Sequence, residues 1–253
     1  MTYPQVLVDK ALEMLALGLS QAEVSRRTGI SRAAIRDWQH GNVPKRRREA
    51  HGPYERDTCP LIEEVATPAY AYLLGLYLGD GTISTMPKGV FRLRIFCCDA
   101  YPHLMDLCQA AMEAVLPGHK VGRVPGLGCT DVSSYSKHWP CLFPQFGPGM
   151  KHLRRIELAP WQEEIVEEFP EEFVRGLIHS DGCRGLNRVS NRFGQRYAYP
   201  RYQFTNRSQD IKDLFCWACD LLGVEWKVMN RYTISINKRA DVAFLDTFIG
   251  PKT

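Results

Sequence analysis

The 253-residue chain has no apolar run long enough to span a bilayer. The longest, roughly Val65 to Leu78, suits a buried helix instead. Its first residues, Met1-Thr2-Tyr3-Pro4, lack a basic stretch followed by an apolar one. No secretion signal is read there, and a cytoplasmic location is expected. The nine cysteines are odd in number and scattered through apolar segments, which argues against a disulfide framework and for reduced core thiols. Cys216-Trp217-Ala218-Cys219 is formally C-x-x-C, but it sits in an amphipathic helical pattern and reads as packing rather than redox or metal chemistry. Cys59-Pro60 has no partner nearby in sequence, which leaves the remnant of a zinc knuckle as the weaker reading.

Charge imbalance is small as well, a net +4, but it is unevenly placed. Residues 1–56 hold ten Lys/Arg against six Asp/Glu and so carry all of it. In the remainder, acids concentrate at Glu163-Glu164, Glu167-Glu168 and Glu171-Glu172, and outside that run the rest is basic by six. Such asymmetry suits a polyanionic partner. A composition of 45% hydrophobic and 24% charged residues is that of an ordinary soluble protein of one large or two modest domains.

What is present twice is an apolar helical run ending in Asp-Gly: Leu73-Leu74-Gly75-Leu76-Tyr77-Leu78-Gly79-Asp80-Gly81 and Val174-Arg175-Gly176-Leu177-Ile178-His179-Ser180-Asp181-Gly182. Small residues four apart, Gly75 with Gly79 and Gly176 with Ser180, share one helix face and permit close approach of backbones. Gly81 and Gly182 are expected to end the helices at positive φ. Paired through these faces, the helices would bring Asp80 and Asp181 to one end, where helix carbonyls add negative partial charge. Two carboxylates there suit a hard divalent cation, in first place Mg²⁺.

Both segments resemble the motif of the LAGLIDADG (DOD-type) homing endonucleases, L-x-G-L-x-x-[small]-[acid]-G. The first copy matches at every defined position, and the second departs only by Val174. The resemblance covers about residues 67–253 and implies a monomeric two-repeat enzyme that cuts double-stranded DNA with Mg²⁺. In that family a Lys at the end of the fourth strand often lies near the attacking water, which points to Lys137 and Lys238. These are 101 residues apart, as are Asp80 and Asp181. A polar residue at the end of the second strand positions water; Asn206 fits in the second half, whereas the first half has Cys97. His179 reads as a packing residue or a support behind the ligands rather than as a metal ligand.

Along the chain, residues 5–17 read as a helix closed by Gly18. Ser20-Gln21-Ala22-Glu23 reads as a capping box opening a short helix that stops at Thr28-Gly29, and Ser31 caps a third helix from Arg32 to about Gln39. This is a helix-turn-helix pattern with Arg32, Ala33 and Arg36 outward and Ile35 and Trp38 inward. The run Lys45-Arg46-Arg47-Arg48 would lie along phosphates. Expected boundaries are 1–44 for this DNA-binding domain, 45–66 for a basic linker, 67–148 for the first repeat, 149–169 for a connector and 170–253 for the second repeat. The fold class is α+β, two αββαββα repeats plus the small helical domain. Alternation sets Arg92 and Arg94 on one strand face, and Arg201, Gln203 and Thr205 on its counterpart, as readers of base edges. The longer second hairpin carries Arg184, Arg188, Arg192, Arg196 and Tyr197 toward phosphates. Two other functions fit the same residues: a regulator that binds DNA without cutting, favoured by Cys97 and the helix-turn-helix, and an RNA maturase.

Overall fold

The computed structural model describes residues 5–39, 59, 61–65 and 67–250. The chain divides into two units, Met1–Gly52 and Pro53–Thr253. In the first, α1 (Gln5–Ala16), α2 (Gln21–Thr28) and α3 (Arg32–Gln39) enclose a small core of Val8, Ala11, Val24, Ile30, Ile35 and Trp38. Gly18 and Gly29 both adopt positive φ, 85° and 72°, and the second makes the tight turn between α2 and α3. Ser20 Oγ accepts from the Glu23 amide at 3.3 Å. Only this half of the expected capping box is seen, because the Glu23 carboxylate turns to Arg26 and Arg27, whose charges outbid a neutral amide. Arg32, Ala33 and Arg36 are exposed on α3. Arg46 and Arg47, with the rest of the basic run, lie outside the described residues.

The second unit begins with a short helix, α4 (Leu61–Glu64). Then come α5 (Thr67–Asp80), β1 (Gly81–Met86), β2 (Val90–Cys98), α6 (Pro102–Val115), β3 (Val121–Pro125), β4 (Cys129–Ser136) and α7 (Trp139–Leu142). After the acidic helix α8 (Pro160–Glu168), the order repeats as α9 (Pro170–Asp181), β5 (Gly182–Ser190), β6 (Arg196–Thr205), α10 (Gln209–Leu221), β7 (Lys227–Asn230), β8 (Thr233–Ile236) and α11 (Arg239–Asp246). Each half therefore reads αββαββα, and the class is α+β.

The sheets are antiparallel, ordered β1-β2-β4-β3 and β5-β6-β8-β7. Their registers correspond: Gly81 pairs with Ile95 and Gly182 with Phe204, and these pair onward with Val132 and Ile234. One face of each sheet packs on the helices, through Leu93 and Ile95 in the first and Tyr202 and Phe204 in the second. No helix among the described residues is long and apolar enough to cross a membrane.

The halves join through α5 and α9, and the sequence explains how closely. A methyl group at Gly176 would fall 2.2 Å from the Tyr72 carbonyl oxygen, and one at Gly75 2.6 Å from that of Phe173. A methyl at Gly79 would meet Ser180 Oγ at 2.2 Å. Ser180, facing Gly79 across the interface, folds its hydroxyl onto its own helix, with the Gly176 and Leu177 carbonyls as acceptors at 3.1 and 3.0 Å, so its polar atom is satisfied there. Gly81 and Gly182 differ from expectation. Neither has positive φ; Gly182 is extended at −102°. The chain doubles back over the last helical turn into the strand, where a methyl at Gly81 or Gly182 would lie 2.5 or 2.7 Å from the Cα of Tyr77 or Ile178. Glycine is needed there for room, not for handedness.

Because backbone cannot yield as a side chain can, Gly176→Ala is expected to lower stability in urea unfolding by about 3 kcal/mol or to prevent folding. Gly185→Ala, where nothing lies within 4 Å, is the control and should stay within about 0.5 kcal/mol of the parent.

Candidate active site and nucleic-acid faces

The crossing of α5 and α9 brings their C-terminal carboxylates to one end of the pair. Asp181 Oδ2 lies against the backbone of Gly79, the residue before Asp80, 3.1 Å from where a Cβ would stand. Asn206, just beyond the end of β6, donates from Nδ2 to Asp181 Oδ2 at 2.6 Å. Its own Oδ1 accepts from the Ser208 amide at 2.7 Å and its amide donates to the Tyr232 carbonyl at 3.0 Å, so the side chain is held at both ends. In the first half, strand register puts Cys97 in the place of Asn206. Its buried thiol is turned to Cys108, and that hydrogen bond pulls Cys97 down while pushing Cys108 up. A thiol so engaged does not fix Asp80 as Asn206 fixes Asp181.

Lys151 completes the site, and sequence reasoning missed it. It follows Gly147-Pro148-Gly149-Met150, a stretch without periodicity. The ammonium caps the last turn of α5, donating to the carbonyls of Tyr77, of Leu78 at 2.9 Å and of Gly79 at 3.2 Å, with Nζ 4.7 Å from the centre of the Tyr77 ring. A cation at a helix C-terminus is stabilised by the partial charge there. Burial pushes Lys151 down to about 7, while the Asp181 and Asp80 charges pull it back. The signal that would have found it is a repeated interval. Lys151 follows Asp80 by 71 residues, Lys252 follows Asp181 by 71, and each comes shortly after a Gly-Pro pair. Lys252 lies outside the described residues.

Lys137 and Lys238 are placed elsewhere. Both β4 and β8 begin at the Asp-bearing end of their sheets and run away from it. Ser136, next to Lys137, pairs with Phe91, and Phe91 with Thr85, four residues along β1 from Gly81. Lys238 lies two residues past Ile236, which pairs with Tyr202, and Tyr202 with Arg184. Its ammonium pairs with Asp241 at 3.6 Å. The structure thus does not bring these two lysines to the carboxylates. The strand registers also differ by 102 residues at this point (Val132 and Ile234), not 101.

The open sheet faces carry the expected cations. Arg92 donates to Asp131 at 3.1 Å and Ser133 at 3.0 Å, and Arg94 to Ser84 at 3.1 Å. Arg201 reaches Asn187 at 3.4 Å, and Gln203 contacts the Met229 sulfur at 3.1 Å. The Nε atoms of Arg92, Arg94 and Arg201 are buried and have no hydrogen-bond partner. The second hairpin is a two-stranded ribbon, β5 paired with β6 out to Ser190 and Arg196, with Arg188, Arg192 and Arg196 exposed and Tyr197 stacked on Tyr199 at 6.2 Å. Arg184 instead forms a two-point pair with Asp246, both contacts at 2.7 Å. His179 is internal: Nε2 donates to the Ile249 carbonyl at 2.8 Å, and Nδ1 accepts from the Tyr72 hydroxyl at 2.9 Å. Cys216 and Cys219 are buried thiols of α10, as expected.

The donor set at the helix ends suits a hard cation: carboxylate oxygens only, with one Asp181 oxygen pre-aimed by Asn206. No protein-family model matches the chain. The uncharacterized protein MJ0398 of Methanocaldococcus jannaschii is 23% identical over 172 residues, 66% of this chain and 55% of that protein, so the chain spans about half the length of the curated relative it matches. Among solved structures, mesophilic variants of the homing endonuclease I-DmoI align at a TM-score of 0.47 with 17% identity, covering 72% of this chain and 96% of theirs. I-DmoI in complex with DNA and Mn gives 0.47 and 17%, covering 73% and 97%. The LAGLIDADG meganuclease I-AabMI bound to uncleaved DNA gives 0.45 and 12%, covering 71% and 82%. Likeness at this level concerns the course of the chain alone.

The site makes stability depend on pH in a defined direction. Unfolded, Lys151 keeps its proton to its ordinary value of 10.5; folded, it releases it from about 7. Between those values the unfolded chain binds more protons, so stability rises with pH. Wild type is expected to gain stability relative to Lys151→Met between pH 7 and 10 in urea unfolding. Parallel profiles would show that Lys151 is not held as described.

Proposed function

We propose that the protein is a divalent-metal-dependent endonuclease of double-stranded DNA, of the LAGLIDADG kind its two motifs resemble. The observation that carries the reading is the meeting of Asp80 and Asp181 at the ends of crossed helices, each leading directly into a sheet with an open cationic face. Asp80 and Asp181 would hold the metal, Mg²⁺ in first place, which supplies an activated water and neutralises charge on the phosphoryl oxygens. Lys151 stands near both carboxylates, and in its protonated form, held up to about pH 7, it would stabilise the phosphorane. By its matching interval from Asp181, Lys252 is the counterpart for the other half. Lys137 and Lys238 carry no part in this scheme. Asn206 positions Asp181, and the absence of an equivalent at Cys97 makes the two cuts unequal.

Arg92, Arg94, Arg201 and Gln203 would face base edges. Arg188, Arg192 and Arg196 would follow phosphates along the ribbon. The three-helix unit, with Arg32 and Arg36 outward on α3 and Arg46 and Arg47 beyond it, would add a second contact to the duplex. One observation favours a DNA-binding regulator instead, namely Cys97 in place of a water-positioning side chain.

Incubation with a plasmid library of randomised inserts separates the two readings. Wild type with Mg²⁺ or Mn²⁺ is expected to cut, and Asp80→Asn and Asp181→Asn to lose at least about 100-fold in rate. Wild type should pass through nicked circles because its cuts are unequal, and Asn206→Ala should slow the faster cut and lessen that accumulation. Binding without metal-dependent cutting by wild type would support the regulator, and equal cutting by all three proteins would remove the two acids from the mechanism.

Duplex binding without regard to sequence gives a further measure. Replacing Arg188, Arg192 and Arg196 together by Ala should reduce the slope of log affinity against log salt by up to about 3. An unchanged slope would mean that the ribbon does not touch phosphates.

A further inference from the structure

A second cluster of metal-binding side chains lies outside the site just described. His138, at the N-terminus of α7, and Cys141 within it are three residues apart, so they share one side of the turn. Cys59 comes from 79 residues upstream, and its Sγ stands 3.4 Å from His138 Nδ1. The three ligand atoms all lie within 4.8 Å of one another, and among the described residues they are the one such group of three.

We propose that Cys59, His138 and Cys141 bind a structural zinc ion. A tetrahedral zinc with bonds of about 2.3 Å to sulfur and about 2.0 Å to nitrogen holds its sulfur and nitrogen ligands about 3.5 Å apart, and two sulfurs about 3.8 Å apart. The observed separation of Cys59 and His138 is close to that spacing before any adjustment. Two thiolates and a neutral imidazole balance the charge of the ion, which matters in a site where Cys59 is 4% and Cys141 1% exposed. His119 lies near enough for its charge to act on His138 but falls outside the group of three, which leaves the fourth position of the tetrahedron to water or a further donor. The other buried thiols, Cys97, Cys108, Cys216 and Cys219, belong to no such group and behave as core side chains. The ion would clip the chain at residue 59, where it enters the second unit, to the last helix of the first repeat. It is independent of catalysis, because it uses neither Asp80 nor Asp181.

Metal analysis of the reduced full-length protein tests this. Wild type is expected to retain about one zinc per chain after dialysis, and Cys59→Ser and His138→Ala each less than a tenth of that. The Asp80→Asn, Asp181→Asn double variant should keep its zinc. Because a variant can fail to fold, cobalt titration of the metal-free wild type serves as a second measurement. A near-ultraviolet thiolate-to-cobalt absorption band should appear and saturate at one equivalent, and zinc should abolish it. Chelation should lower the melting temperature of wild type but not of Cys59→Ser. Folded, reduced wild type that retains no zinc and shows no cobalt–thiolate band overturns the proposal, as does full zinc retention by the Cys59 and His138 variants.

Discussion

Close contact between two helix backbones is the constraint on which the second unit depends. Where Gly75 and Gly176 face each other, no side chain separates α5 from α9, and the approach is set by peptide groups. Such an interface admits one geometry. A side-chain interface can slip to another rotamer, whereas carbonyl oxygens at van der Waals distance cannot. The position of both carboxylates, and the start of β1 and β5 one residue later, follow from that single crossing. The site thus stands at the end of a closely packed helix pair in which Tyr70, Leu73, Phe173 and Leu177 are fully buried.

Charge at this crossing is balanced locally. Two carboxylates and the carbonyl ends of two helices gather negative charge at one point, and Lys151 answers with three donated hydrogen bonds to the α5 carbonyls. The connector that carries this lysine is itself anchored. Gln162 of α8 accepts from Gln145 at 2.6 Å and donates to the Tyr70 hydroxyl at 2.5 Å, tying the acidic helix to the first turns of α5. A buried amide with its partners in place specifies one arrangement, since any shift would leave a polar group unpaired.

Much of the fold was legible because its signals are local. The alternation in Arg92-Leu93-Arg94-Ile95 fixes which face of β2 is buried, and the helix stop signals at Gly18 and Gly29 are short-range. The helical run with two small residues four apart predicts the α5–α9 contact, since few other pressures place glycine mid-helix. What failed was whatever depends on direction or distance in space. The equal spacing of Lys137 and Lys238 says nothing about which way β4 and β8 run, and they run away from the acids. Glycine after Asp looks the same in sequence whether it serves positive φ or close approach, and here it was the second. Lys151 lay in a Gly/Pro-rich stretch with no period to mark it. Cys59 and His138 are too far apart in the chain for spacing to connect them.

The two halves share a topology but not an outline. The β5–β6 ribbon extends nine residue pairs from Gly182 to Ser190, against six for β1–β2, and the polar side chain at one strand end is a thiol at the other. A duplex laid across both sheets would therefore meet two unlike surfaces. The base sequence it favours would lack a palindrome, and each half of the gene could drift toward a new half-site without the other having to follow.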